Sequence, residues 1–204
     1  MTVSTAKLPV IDLSSPDRLS TANSIRQACV DYGFFYLANH GVEEELVKRA
    51  FEESRKFFSL PLDEKMKLPR KEHRGYTPLY AENLNPDSSS KGDSKESFYV
   101  GPVRGSGNKA ELNQWPSPAV HYSPCSLDEE ISEALPSWRS TMESYHDKVM
   151  SAGRRLISLI ALALNLDEDY FDKVGAMNEP DAFLRLIHYP GRNLSFSCIL
   201  TWDD

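Results

Sequence analysis

The sequence is poor in the features that mark secreted and membrane proteins. Its 204 residues include three cysteines, far apart at Cys29, Cys125 and Cys198. They form neither an even disulfide framework nor a Cys-x-x-Cys metal knuckle, which favours a reducing, cytoplasmic setting. The longest apolar stretch, at residues 156–164, is too short to span a bilayer, and the first residues lack the basic and apolar parts of a secretory signal. We therefore expect a cytoplasmic protein without a membrane partner.

An excess of positive charge is also missing. The chain has 23 lysines and arginines against 30 aspartates and glutamates, for a net charge of −7. Composition thus gives no reason to expect a nucleic-acid partner, because polyanion-binding surfaces are rich in basic residues. With 40% hydrophobic and 26% charged residues, the chain has the balance of an ordinary globular protein.

The first sixty residues mix helix and strand patterns. Strands are predicted at residues 8–13 and 34–38, with a helix between them that ends at Gly33. Asn39, His40 and Gly41 predict a turn, and a second helix with one apolar stripe runs from residue 43 to the stop at 60–61. The expected core-facing stripe of the first helix is Ala22, Ile25, Cys29 and Tyr32.

The later part of the chain predicts a short strand at 97–100, a long helical segment and one more strand. Residues 127–166 are expected to be helical almost throughout, with a break at Pro136. Residues 181–189 alternate as a strand. That alternation puts Phe183, Arg185, Ile187 and Tyr189 on one face and Leu184, Leu186 and His188 on the other. The element order lacks the regular alternation of a doubly wound sheet and favours the α+β class.

No catalytic or metal-binding constellation is visible in the residues themselves. The five histidines show none of the His-x-His, His-x-Asp or HExxH spacings that place two ligands on one metal. His40 is interpreted as a turn residue, and His146 as a packing or solvated residue. From the residues alone, we therefore assign no catalytic residue and no metal ligand.

Arg185 and Tyr189 are the exceptions that suggest a site. They place a guanidinium and a phenol among apolar neighbours on one strand face. Burying the guanidinium is unfavourable unless an anion meets it. A carboxylate ligand and an internal aspartate or glutamate are both open as that anion.

The order of several short motifs resembles one known family. From residue 8 to about 191 the chain is similar to the plant-type 2-oxoglutarate/Fe(II)-dependent dioxygenases, which include isopenicillin N synthase-like and aminocyclopropane-carboxylate oxidase-like enzymes. The matching segments are Leu8-Pro9-Val10-Ile11-Asp12-Leu13, Asp31-Tyr32-Gly33-Phe34-Phe35, Asn39-His40-Gly41-Val42, Arg74-Gly75-Tyr76, Lys95-Glu96-Ser97-Phe98-Tyr99, Asn113-Gln114-Trp115-Pro116 and Arg185-Leu186-Ile187-His188-Tyr189-Pro190.

The resemblance implies a fold and a domain layout. The expected fold is the N-terminal helical and strand region of a double-stranded β-helix (jelly roll), with most of the jelly roll missing. Residues 8–120 would form the non-haem dioxygenase N-terminal region and 121–176 a long helical segment. Residues 177–191 would be the first strand of the jelly-roll core, and 192–204 a divergent tail.

The resemblance also implies chemistry. Family members use Fe(II), held by a His-x-Asp pair and a later His, together with 2-oxoglutarate, to oxidise a small organic molecule. This sequence has no His-x-Asp and no His after His188, so the chain is expected to be truncated before the metal motif, to bind neither cofactor tightly and to be inactive alone. Tyr189 is expected to contact the cofactor 2-oxoglutarate and Arg185 to face the substrate. The alternative is a non-catalytic fragment that binds or regulates a full-length relative.

Overall fold

Two groups of residues that are each discontinuous in sequence form two units in the computed structural model. Unit 1 combines residues 1–43 with 147–180, and unit 2 combines residues 44–146 with 181–204. The structure describes residues 7–83, 92–104, 109–117, 119–122 and 131–191. Cys125, Cys198 and the tail at 192–204 lie outside the described residues.

Unit 1 begins with two parallel strands that are connected by one helix. Strand β1 (Val10–Asp12) pairs with β2 (Tyr36–Ala38), and helix α1 (Arg18–Asp31) connects them. The Asp17 side chain accepts a hydrogen bond from the Ser20 backbone N–H at 3.0 Å and so caps the start of α1. At the other end Gly33 has φ +80°, a conformation that glycine adopts without strain. The end of α1 before Gly33 agrees with the sequence prediction.

The core of unit 1 is small and differs in one respect from the predicted stripe. Ala22 and Ile25 are buried as expected, but Cys29 and Tyr32 are exposed and Ala28 is buried instead. The prediction of Cys29 and Tyr32 as core residues was therefore wrong. The buried residue is Ala28, one position before Cys29, and one position along a helix turns the side-chain direction by about 100°. The buried cluster consists of Ile11, Leu13, Ala22, Ile25, Leu159 and Ala163.

The helices of unit 2 that precede its sheet in the chain are α2 and α3. Helix α2 (Glu44–Ser59) buries Leu46, Ala50, Phe57 and Phe58, and α3 (Leu62–Met66) is short. The sheet has three antiparallel strands in the order β3 (Gly75–Thr77), β4 (Glu96–Val100), β7 (Leu184–His188). Its buried aromatic cluster includes Phe57, Tyr76, Phe98 and Trp138, whose rings meet mostly edge to face.

The region between β4 and the long helix contains two strands that the sequence did not predict. Strand β5 (Ala119–Tyr122) pairs antiparallel with β6 (Ile131–Ala134), and helix α4 (Trp138–Ala163) starts only after Pro136. The helical prediction was thus wrong for 131–134, and residues 127–130 lie outside the described part. Ladder pairing with β5 overrides the weak helical preference of so short a segment.

The last elements are the one-turn helix α5 (Tyr170–Lys173) in unit 1 and β7 in unit 2. The strand prediction for 181–189 is confirmed over β7. Of the helices within the described ranges, none combines the length and the apolarity that crossing a bilayer requires.

Candidate functional site: two carboxylate clusters and a cavity beside one strand

The unit 2 sheet has two faces with different surroundings. Register places Glu96 opposite His188, Phe98 opposite Leu186 and Val100 opposite Leu184. Because opposite residues point to the same side, these six side chains share one face, which we call the core face. The other face carries Ser97, Tyr99, Arg185 and Ile187 and is called the open face. This division confirms the predicted alternation over β7, residues 184–188.

A buried carboxylate organises the polar part of the core face. The Glu96 side chain, 4% exposed, accepts hydrogen bonds from Lys65 Nζ at 2.8 Å and from the Tyr76 hydroxyl, both at Oε2. His188 Nδ1 lies 2.7 Å from Oε1. Lys65 also donates to the Phe58 carbonyl oxygen at 3.0 Å. Four elements, namely α3 and the three strands, therefore meet at one carboxylate.

Hydrogen bonding decides the protonation of Glu96. Burial alone would raise the pKa of its carboxyl, but the hydrogen bonds from Lys65, Tyr76 and His188 outweigh burial and lower that pKa. The pKa of Tyr76 is raised, first by burial and then by its hydrogen bond to Glu96. The cluster accordingly holds an ionised carboxylate beside a neutral phenol.

A second carboxylate, Glu82, organises the open face. Arg185 Nη2 donates to Glu82 Oε2 at 2.5 Å, and Lys95 and Arg70 lie 3.3 and 3.1 Å from the same carboxylate. The guanidinium groups of Arg185 and Arg70 lie 4.8 and 4.3 Å from the centre of the Tyr99 ring, where cation–π attraction adds to the ion pairs. Glu82 keeps a quarter of its side chain exposed, at 25%.

The Glu82 cluster gives Arg185 an internal partner. The guanidinium meets the Glu82 carboxylate, one of the two anions that the sequence left open. Burial would raise the pKa of Glu82, but hydrogen bonds from Arg185 and Lys95 lower it overall. Arg185 Nε is buried and has no partner within the described residues. The expectation that Arg185 faces a substrate stays a prediction.

A cavity of about 320 Å³ lies between α2 and β7 within unit 2. Its polar contributors are Ser54, Tyr145, Arg185 and Tyr189, and burial raises the pKa of the Tyr145 hydroxyl. Tyr189 is 48% exposed. The apolar lining consists of Ala50, Phe51, Phe58, Leu184, Leu186 and Ile187. The volume and the mixed lining suit a small organic molecule, and Tyr189 as a cofactor contact stays a prediction.

Three of the five histidines, His40, His146 and His188, lie in a turn or are packed in the interior. His40 Nδ1 accepts a hydrogen bond from the Val42 N–H at 3.1 Å within a turn, as predicted. His146 is buried, with Nε2 3.2 Å from the Ala182 carbonyl oxygen. His188 is on the core face and stacks on Phe58. The roles of Glu82, Glu96 and Lys65 were missed from residue patterns, although Glu96 stands in one of the matching motifs.

These residues do not fit an iron site. Within the described parts of the chain, no three side chains of His, Cys, Asp or Glu gather in metal-binding reach. Glu96 and His188 are adjacent, but both Glu96 oxygens already accept hydrogen bonds from protein groups. No reaction step through iron is therefore derived from these residues.

Comparison with known proteins gives this geometry a family context. Residues 8–118 match the profile of the family described as non-haem dioxygenase in morphine synthesis N-terminal. The chain is 34% identical over 187 residues to azadirone synthase of Melia azedarach, covering 89% of this chain and 53% of that protein. It is 33% identical to 1-aminocyclopropane-1-carboxylate oxidase of Dictyostelium discoideum, covering 93% and 51%.

Solved protein structures give the same result as the sequence comparisons. A Neurospora crassa protein in complex with alpha-KG and thymine superposes with a TM-score of 0.67 at 26% identity, covering 90% of this chain and 55% of that one. JOX2 in complex with 2OG, Fe and JA gives 0.67 at 25%, covering 90% and 48%. The predicted fold class is thus confirmed, and the chain spans about half the length of the relatives it matches. A family profile over more than half of its residues and these shared folds show that this chain belongs to the 2-oxoglutarate/Fe(II)-dependent dioxygenase family.

Proposed function

We propose that these residues form the N-terminal part of a dioxygenase that oxidises a small organic molecule while decarboxylating 2-oxoglutarate. Family membership supports the reaction type. The observation that carries the proposal is the cavity beside β7, where Arg185 and Tyr189 contribute polar groups among apolar side chains. In the complete protein, this strand contributes one wall of the ligand site.

Within that wall, two side chains have different proposed roles. The Tyr189 hydroxyl donates a hydrogen bond to a 2-oxoglutarate oxygen, which its half-exposed position beside the cavity allows. Arg185 faces the substrate, with Glu82 holding its guanidinium in place. The proposed partner is a small-molecule substrate. A cytoplasmic location without nucleic-acid or membrane partners is part of the proposal and rests on the acidic composition and the scattered cysteines.

The tyrosine role can be tested in a chimera. Residues 8–191 would replace the matching part of the Neurospora crassa protein, and release of carbon dioxide from 2-oxoglutarate would be measured. We expect Tyr189→Phe to raise KM for 2-oxoglutarate about fivefold, the effect of one lost hydrogen bond, with kcat little changed. Tyr80→Phe is the matched control, because Tyr80 is 49% exposed and does not line the cavity. An active Tyr189→Phe chimera with an unchanged KM for 2-oxoglutarate would contradict the proposed role of Tyr189.

The 204-residue chain itself is proposed to be catalytically silent. Anaerobic titration with Fe(II), with and without 2-oxoglutarate, should give no stoichiometric binding, because a tight site needs several imidazole and carboxylate ligands together. The intact Neurospora crassa protein serves as the positive control. Stoichiometric binding, or substrate-independent turnover of 2-oxoglutarate, would overturn this part of the proposal without affecting family membership.

A second candidate function is association with a full-length relative without catalysis. It is favoured by the exposed apolar side chains along β7 and at its ends, namely Phe183, Ile187 and Tyr189. Mixing the chain with a tagged relative such as azadirone synthase, followed by affinity capture and activity assay, tests it. If the relative is not captured and its activity does not change, this role is excluded for that relative.

A further inference from the structure

The carboxylate of Glu82 lies among four hydrogen-bond donors on the side of the open face. Arg70 Nη1 and the Tyr99 hydroxyl lie 3.1 and 3.4 Å from Oε1, and Arg185 Nη2 and Lys95 Nζ lie 2.5 and 3.3 Å from Oε2. We call these four side chains the donor cradle. An ionised carboxylate accepts about two hydrogen bonds at each oxygen. The number and the placement of the donors therefore match one carboxylate group, whether a residue or a bound molecule supplies it.

Contacts that do not involve Glu82 hold the central members of the donor cradle. Tyr99 on β4 lies opposite Arg185 on β7 in the sheet, and the Arg185 guanidinium lies 4.8 Å from the centre of the Tyr99 ring. Arg185 Nη2 also lies 3.4 Å from the Ser97 hydroxyl oxygen. The Arg70 guanidinium lies 4.3 Å from the centre of the same tyrosine ring. Because the ladder and the ring contacts position these groups, the cradle is expected to persist when the Glu82 carboxylate leaves it.

Glu82 itself is held less firmly than the donors around it. It belongs to neither a helix nor a strand and lies between β3 and β4 in the chain. Its backbone carbonyl oxygen accepts a hydrogen bond from the Asp93 N–H at 2.8 Å, so the side chain can rotate into water while the backbone stays in place. A quarter of that side chain, 25%, is already exposed, and water replaces the contacts of such a carboxylate at little loss. The occupant of the cradle is therefore exchangeable.

Departure of the Glu82 carboxylate would leave positive charge that calls for another anion. Asp93 lies 2.6 Å from Lys95 and pairs with it whether or not Glu82 is in the cradle. Arg70 and Arg185 would then keep two guanidinium groups directed at one position. Guanidinium groups bind carboxylates through charge-assisted hydrogen bonds of well-defined geometry. The carboxylate of a bound molecule is therefore the ligand that fits the donor cradle.

We propose that the donor cradle binds a carboxylate of the substrate and that Glu82 is the internal group which this carboxylate displaces. The inference rests on the proposed function, in which Arg185 faces a small organic substrate, and it adds that this substrate is a carboxylic acid. Arg185 belongs to the cradle and also lines the cavity, so the acid group and the apolar body of the molecule have adjoining sites. Glu82 holds Arg185 until the substrate arrives. Because Glu82 competes for the same donors, it lowers the affinity for every acid and selects those whose remaining contacts offset the difference.

Titration of the 204-residue chain with benzoate and with its neutral analogue benzamide, followed by NMR, tests the inference. Glu82→Gln should bind benzoate at least about tenfold more tightly than the wild type, because the internal competitor is lost while the cradle remains. Benzamide should gain nothing. Glu143→Gln is the matched control, since it removes the same charge from an ion pair with a single cation, Arg139, in the same unit. It should leave the affinity for benzoate unchanged.

A second substitution locates the bound acid. Arg185→Gln, added to Glu82→Gln, should abolish the gain in benzoate affinity, because it removes a guanidinium from the cradle. Equal benzoate affinities of wild type and Glu82→Gln, an equal gain for benzamide, or a gain that survives Arg185→Gln would each overturn the inference. Tighter binding of 2-oxoglutarate than of benzoate to Glu82→Gln would also overturn it, by assigning the cradle to the cosubstrate.

The wild-type chain provides an independent measurement should Glu82→Gln fail to fold by circular dichroism. Benzoate at millimolar concentration should shift the Arg185 Nε–H signal, which is assigned by its loss in Arg185→Lys, and benzamide should not. The same signal unmoved by benzoate would overturn the inference. The proposed function fails separately: an inactive chimera would count against the reaction and leave these binding results standing, whereas an active chimera beside a Glu82→Gln chain without gain would defeat the inference alone.

Discussion

Each face of the unit 2 sheet has a cluster of polar side chains around one carboxylate, and the two clusters differ in their surroundings. On the core face Glu96 gathers Lys65, Tyr76 and His188, and on the side of the open face Glu82 gathers Arg185, Lys95 and Arg70. Each carboxylate links segments far apart in sequence. They differ in exposure, since Glu96 is 4% exposed and the Glu82 side chain 25%.

This difference separates structural from adaptable polar networks. The Glu96 cluster is enclosed, so any unpaired group there lacks water as a substitute partner. The Glu82 cluster borders solvent, and its members can exchange protein contacts for water at little loss. We therefore expect Glu96 to hold the sheet together and Glu82 to tune the direction of Arg185 beside the cavity.

The largest expected effect comes from breaking the buried cluster. Glu96→Gln leaves the Lys65 ammonium buried without its counter-ion and should reduce the free energy of unfolding by about 3 kcal/mol. Urea denaturation followed by tryptophan fluorescence measures it. A loss no greater than that of Glu82→Gln would show that burial does not separate the two clusters.

A fall in pH should act in the same direction. Both carboxyls have a lowered pKa in the folded chain, so the stability that each contributes is present above the unfolded pKa, near 4.5, and is lost as pH falls through the folded pKa. The stability difference between wild type and Glu96→Gln should accordingly shrink below about pH 4.5. Denaturation curves at neutral and acid pH measure this; a difference that stays constant would mean that Glu96 does not change protonation there.

A smaller effect is expected from the exposed cluster. Glu82→Gln removes an ion-pair partner from Arg185, Lys95 and Arg70, but water can reach these cations. The free energy of unfolding should fall by no more than about 1 kcal/mol. Urea denaturation under the conditions used for Glu96→Gln gives the comparison directly. A loss as large as that of the buried variant would make the Glu82 cluster structural as well.

The smallest expected effect is that of salt. Raising the ionic strength screens exposed charges more than buried ones. High salt should therefore reduce the already small difference between wild type and Glu82→Gln and leave the Glu96→Gln difference nearly unchanged. Repeating both denaturation series in high salt tests this. Equal responses of the two variants to salt would contradict the expected difference in solvent access between the Glu96 and Glu82 clusters.

Local patterns predicted those parts of the fold that short-range physics determines. The period-two alternation assigned Arg185 and His188 to opposite faces of β7, and Gly33 marked the end of α1. The motif order led to the family. These features depend on spacing within one element, which a single sequence contains.

What the sequence did not provide is the long-range pairing. Arg185 and Glu82 are 103 residues apart, and His188 and Glu96 are 92 apart. Nothing local identifies which of thirty acidic residues meets a given cation. The β5–β6 pair was missed for a related reason, because the partner strand stabilises Ile131–Ala134 more than its own residues do.

The buried indole of Trp138 gives the aromatic core its own optical signal. Its ring lies 5.2 Å from Phe98 and 6.0 Å from Trp115, and it is fully enclosed. Both tryptophans within the described residues, Trp115 and Trp138, belong to unit 2. In a Trp202→Phe background, emission therefore follows one core, whereas far-ultraviolet circular dichroism records the helices of both units. Coincident melting curves from the two signals would identify the units as one cooperative system, and separated curves would resolve two domains without any added label.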